Sequence, residues 1–157
     1  MRMFPAAVLG LALMAAAPVA RAQQAPPAYG APVALTDTRK VVGTALADAQ
    51  RLNLPMAVAV VDWTGSLAAF ARSDNTQTTS IAMVKARSVA AFRRPGKAFK
   101  EALGGGRMAI LALEGAVPVE GGILILREGR MVGAVGVSGG TAQQDGRVAA
   151  VGLAALN

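Results

Sequence analysis

The sequence has neither cysteine nor histidine in 157 residues. Without cysteine there is no disulfide, thiol nucleophile, cysteinyl zinc or iron–sulfur site, or lipidated thiol. Without histidine there is no Ser-His-Asp or Cys-His centre, and no imidazole ligand for zinc or haem iron. What remains is apolar and basic. Hydrophobic residues make up 54% of the chain, and its formal charge is +7. That length suits one domain with a core of its own.

The first segment reads as an address. Arg2 gives a positive start, Phe4 to Ala17 is uncharged and apolar, and Ala20-Arg21-Ala22 has the A-x-A cleavage pattern. The run is short for a membrane span, and no stop-transfer segment follows. Residues 1–22 are therefore expected to be a secretory signal cut after Ala22. The product would be periplasmic or extracellular, with no stable membrane anchor. An exported chain without disulfides must hold together by packing and by its partners.

Residues 23–34 carry Pro26, Pro27 and Pro32 and are expected to form a flexible leader, with Tyr29 solvated. The domain proper is placed at 35–157. Val41, Ala45, Ala49 and Leu52 recur with helical spacing, so a first helix is expected from Asp37 to Asn53, capped by Thr36 and stopped by Pro55. Met56–Asp62 and Leu67–Arg72 flank a Gly65 turn and read as a β-hairpin. A second helix is expected over Ser80–Phe92, capped by Thr79 or Ser80. A short third helix should start at Pro95 and stop at Gly104-Gly105-Gly106. Ile123–Leu126 and Met131–Val137 form a second hairpin about Glu128-Gly129, with a further strand expected near Ile110. A last helix begins near Ala142, with Ser138 as its cap. Hairpins with helices outside them imply an α+β domain with an antiparallel sheet.

These landmarks resemble the HbpS/GlcG-like haem-binding family. The matching residues are Leu54-Pro55 before Ala57–Asp62 and Gly65, then Ser80-Ile81 leading to Lys85-Ala86-Arg87. Glu120-Gly121-Gly122, Val132–Gly139, Gln144-Asp145 and Ala150–Leu156 follow in order. The resemblance runs from about Leu35 to Leu156. It implies a profilin-like α/β/α domain around a five-stranded antiparallel sheet, self-association into a homo-oligomer, and haem as ligand in some members. The histidines that members use for haem or iron are absent here. Met, Tyr, Lys or an oxygen ligand would have to serve the iron, or no protein ligand at all.

Lys85 and Arg87 are the sharpest polar pair. Two residues apart on a helix they point roughly 200° from each other and cannot project into one pocket. One is expected at a cleft or subunit interface, the other against a carboxylate. In the ligand-binding reading they supply positive charge, Met83 and Phe92 line the ring or carbon skeleton, and Ser138-Gly139 offers backbone N–H groups to an anion. Gly136-Val137-Ser138-Gly139-Gly140 also matches G-x-S-x-G, but no histidine exists to activate the serine. A tight turn with a capping serine explains it better. Gly104-Gly105-Gly106-Arg107 lacks the end of a phosphate loop. Arg93, Arg94, Lys97, Lys100 and Arg107 form a basic segment with no aromatic platform for nucleic acid, so a solvated positive face is expected and no nucleic-acid partner. Met56, Met108 and Met131 are assigned to core packing. Asp62 and Asp145 suit turn and helix-start roles, and Glu114 and Glu120 give no supported acid–base pair.

The expected function is an exported, oligomeric protein that binds haem or a related carboxylated small molecule. No catalytic residue is assigned. The alternatives are an enzyme that degrades haem or acts on a small hydroxy acid through a bound cofactor, and a structural or signalling oligomer without ligand.

Overall fold

Period-two alternation in the valine-rich strands sorts large and small side chains onto opposite faces, and this sorting organises the domain. The computed structural model describes residues 25–77 and 79–157. The expected signal segment lies outside the described residues. The elements are α1 (Leu35–Arg51), β1 (Ala57–Asp62), β2 (Leu67–Arg72), α2 (Thr79–Phe92), α3 (Gly96–Gly104), a 3-10 turn (Met108–Ala112), β3 (Gly122–Arg127), β4 (Arg130–Ser138) and α4 (Ala142–Ala154).

The sheet is antiparallel with strand order β2-β1-β4-β3. On one face Val58, Val60, Val135 and Val137 meet the Val41–Ala45–Ala49 stripe of α1 and Val148 and Ala149 of α4. On the other, Ala57, Ala59 and Ala134 meet Ala82, Ala86 and Val89 of α2. The large face is a core of branched side chains, each worth about 1.5–3 kcal/mol when fully buried. The small face lets α2 approach closely. A Cβ at Gly136 would overlap the Ala82 carbonyl, so only glycine fits that crossing.

The fold is mixed α+β as expected, but among the described residues the sheet has four strands, not five. The segment at Ile110, expected as a strand, is the 3-10 turn. Only Ile110 of its five residues is buried, and Gly106 and Gly115 on either side adopt positive φ. One inward side chain does not make a strand face, so the segment closes on itself. Met108, assigned to the core, is 63% exposed there, whereas Met56 and Met131 are fully buried. Two caps also differ. Helix α1 starts earlier, with Ala34 in the cap position, and the Thr38 hydroxyl donates to the Leu35 carbonyl at 2.8 Å. Helix α4 is capped by Thr141, which forms a reciprocal capping box with Gln144, while Ser138 ends β4. Glu128 and Gly129 both have positive φ, which suits the tight β3–β4 turn. Among the described residues no helix is long and apolar enough to cross a membrane.

The described part of the proline-rich leader, residues 25–34, is extended and docked as a strap. Gly30 donates to the Met131 carbonyl at 2.8 Å, Met131 N–H to Ala28 at 2.8 Å, and Val33 N–H to Val132 at 2.9 Å. The strap lies beside β4 just beyond the end of β1, which pairs with β4 only as far as Gly133.

Candidate functional site

Helix α2 carries the expected pair on opposite faces. Lys85 falls in the buried Ala82–Ala86–Val89 stripe, and Arg87 is exposed. The Lys85 ammonium donates to the Asp145 carboxylate at 2.6 Å and to the Val137 carbonyl at 3.0 Å. The other Asp145 oxygen accepts the Gly140 N–H at 2.9 Å. One buried ion pair thus ties α2, the end of β4 and the first turn of α4 together. Gly121 makes room for it. A Cβ there would lie 2.8 Å from the Lys85 ammonium and 2.6 Å from the Val137 carbonyl, and φ is +109°.

Ser138 and Gly139 sit beside this pair. Ser138 is buried. Gly139 has φ +145°, and a side chain there would collide with the Pro55 carbonyl. At this corner the Gly140 N–H goes to Asp145 and the Thr141 N–H to the Gln144 side chain at 2.8 Å. The chain's own carboxylate and amide occupy donors that an external anion would use.

Arg87 faces the β1–β2 turn. Its Nε donates to the Gly65 carbonyl at 3.3 Å. Met83, one turn earlier on the same helix, is half-buried against the small-residue core, and so is Trp63 from the turn. In that turn Asp62 accepts from the Thr64 N–H at 2.8 Å, the Thr64 hydroxyl at 2.6 Å and the Ser66 N–H at 3.1 Å. Partial burial works against ionisation of Asp62, but these bonds together hold its carboxyl below the ordinary value.

Tyr29 and Arg93 complete this side, and sequence reasoning did not place them there. The Tyr29 ring lies 5.1 Å from the Trp63 ring, and the Arg93 guanidinium lies 4.8 Å from the centre of Tyr29. Arg93 also donates to the Pro27 carbonyl at 3.1 Å, and Arg130 to the Tyr29 carbonyl at 3.4 Å. A lone tyrosine in a proline-rich leader gives no periodic signal that would reveal its docking. Phe92 lies elsewhere, edge-on to Phe99 of α3 at 5.2 Å.

The six expected residues therefore fall in three places. Met83 and Arg87 share the face towards the β1–β2 turn. Lys85, Ser138 and Gly139 meet at the start of α4. Phe92 packs between α2 and α3. Glu120, in the loop before β3, pairs with Lys100 at 2.8 Å. The Lys100 hydrogen bond, with the charges of Lys100 and Lys97, holds its carboxyl below the ordinary value against a small burial cost. Among the described residues no group of acidic, histidine or cysteine side chains is arranged to hold a metal ion.

Comparison with known proteins bears on this geometry. A family model described as haem degrading protein HbpS-like matches residues 33–154. Protein GlcG of Escherichia coli K12 is 35% identical over 100 residues, which is 62% of this chain and 75% of GlcG. Among solved structures, a PduOC:heme complex superposes with a TM-score of 0.74 at 26% identity, covering 80% of this chain and 96% of that one. A double mutant of Streptomyces reticuli HbpS superposes with a TM-score of 0.75 at 26% identity, covering 91% and 99%. The span of the family match and the GlcG identity together place this chain in the HbpS-like family.

Proposed function

We propose that the protein binds haem, or a flat carboxylated molecule like it, on the α2 face that carries Met83 and Arg87. The observation behind this reading is the Arg87 guanidinium. It is exposed, has no carboxylate partner among the described residues, and stands one turn from a half-buried methionine. A propionate would replace the weak bond to the Gly65 carbonyl with a charge-assisted one. Met83 and the edge of Trp63 supply apolar contact. Likeness to a protein solved with heme supports the ligand class.

The donor set fits the porphyrin and its carboxylates better than it fits the iron. Imidazole and thiolate ligation are excluded by composition. The Met83 thioether is a soft donor that this face of α2 offers the iron. When bound, haem would supply redox chemistry of its own. Lys85 acts as a positioning residue that fixes α2 on the sheet, with Ser138 and Gly139 shaping the neighbouring corner. Phe92 sets the end of the helix against α3.

Export and self-association belong to the same proposal. The apolar run and A-x-A pattern of residues 1–22 support export. Ile81 and Val84 on α2, 42% and 46% exposed, support a buried contact with a second copy. Titration of the purified protein with haemin tests the main reading. A saturable Soret shift is expected, and its absence, with no thermal stabilisation by haemin or small organic acids, would overturn the proposal. Native mass measurement tests the assembly, with a monomer as the contrary result.

A further inference from the structure

The strap places Tyr29 among groups whose chemistry a tether does not require. Tyr29 is held between the Trp63 ring at 5.1 Å and the Arg93 guanidinium at 4.8 Å. Arg130 reaches the Tyr29 carbonyl, and Arg87 reaches Gly65 in the Trp63 turn. Arg87, Arg93 and Arg130 form no ion pair among the described residues, and their bonds go to backbone carbonyls. The Trp63 Nε1 is buried and donates to no protein atom there. An aromatic wall, an unused buried donor and three uncompensated cations are more than a tyrosine needs.

The strap is held by few contacts. Ala25, Pro26, Ala28, Ala31 and Pro32 are exposed, and Tyr29 is 43% exposed. A segment with little buried surface and exposed hydrogen bonds opens at low cost. Gly30 fits where a Cβ would lie 3.1 Å from both Arg130 and Val132, and Val33 packs against the core, so the strap has a defined seat and a fixed far end.

We propose that Tyr29 is the latch of a lid formed by residues 25–32, and that its release opens the Trp63–Arg93 slot to a flat aromatic anion. The slot adjoins the Arg87 face, so the identification of its occupant as haem rests on the function proposed above, whereas the latch itself rests on the strap geometry. Displacement exchanges one ring for another against Trp63 and gives the arginines a carboxylate in place of carbonyl oxygens.

The chain has one tryptophan and one tyrosine, so both partners of the latch can be followed spectroscopically. Tyr29→Ala should shift Trp63 emission and tighten haemin binding about fivefold or more, because apparent affinity scales with the open fraction. Haemin binding of unchanged strength in Tyr29→Ala would overturn the latch while leaving haem binding intact. If neither protein binds haemin, the haem assignment falls, and 8-anilinonaphthalene-1-sulfonate decides the latch. Tighter dye binding that is lost in the Tyr29→Ala, Arg93→Gln double variant upholds it, and equal binding ends it. Should Tyr29→Ala fail to fold, Tyr29→Leu keeps apolar bulk without the phenol and is read by the same criteria.

Discussion

The Lys85 ammonium lies 2.6 Å from the Asp145 carboxylate, with both side chains almost fully buried and the residues sixty positions apart in the chain. Each charge answers the desolvation of the other, and the Val137 carbonyl and Gly140 N–H take up further hydrogen-bonding capacity.

Removing one partner strands the other in the core. Lys85→Met should cost about 3–5 kcal/mol of stability in urea unfolding, and Asp145→Leu a similar amount. The double variant should recover a large part of that loss. Additive losses would show that the two groups do not act as a pair.

Gly121→Ala should be destabilising through both strain and crowding. The new methyl would meet the Lys85 ammonium, the Asp145 Cβ and the Val137 carbonyl at a φ of +109°. A cost of about 2 kcal/mol or more is expected. An unchanged melting temperature would contradict the close approach of the Glu120-Gly121 loop to the ion pair.

The Asp62 turn sets a pH effect of defined sign. Folding favours the ionised carboxylate, whose value is held below its ordinary 3.8. Its contribution is complete above the unfolded value of about 4 and is lost as pH falls through the depressed folded value. Asp62→Ala should therefore flatten the acid limb of stability while costing less than about 1 kcal/mol at neutral pH, since the turn is solvent-screened. A change confined to alkaline pH would refute this.

Arg87→Gln should weaken haemin binding about tenfold and leave urea unfolding within about 0.5 kcal/mol of the parent. Higher salt should narrow the difference between the two proteins. Equal haemin affinity at low salt would remove Arg87 from the binding face.

Thr141→Ala removes the hydroxyl that caps α4 by accepting the Gln144 N–H, and leaves the bond from the backbone N–H of residue 141 to the Gln144 side chain in place. A loss of about 1 kcal/mol is expected from thermal or urea unfolding. Ser138→Ala would lose more than Thr141→Ala if the serine, rather than the threonine, were the cap.

Much of the secondary structure was legible because local periodicity reports local burial. The hairpin strands, the three longer helices and the turn at Glu128-Gly129 follow from it, within a few residues at the ends. The separation of Lys85 and Arg87 onto opposite faces also follows from helical geometry. The Ile110 segment misled because a short apolar run carries no period, and only one of its side chains has a core to enter.

The sequence alone determined which chemistries are closed to this protein, since no fold can supply an imidazole or a thiol that the chain lacks. It also determined the alternation that makes one sheet face largely of valines and the other mainly of alanine and glycine, with Val61 and Met131 among them. Only the tertiary structure decided which carboxylate answers Lys85, because a buried charge selects its partner through space and the sequence offers several acids near turns. The same holds for Tyr29. Its place against Trp63 and Arg93 depends on where β1 ends beside β4, a vacancy in the sheet that no local pattern in a proline-rich leader encodes.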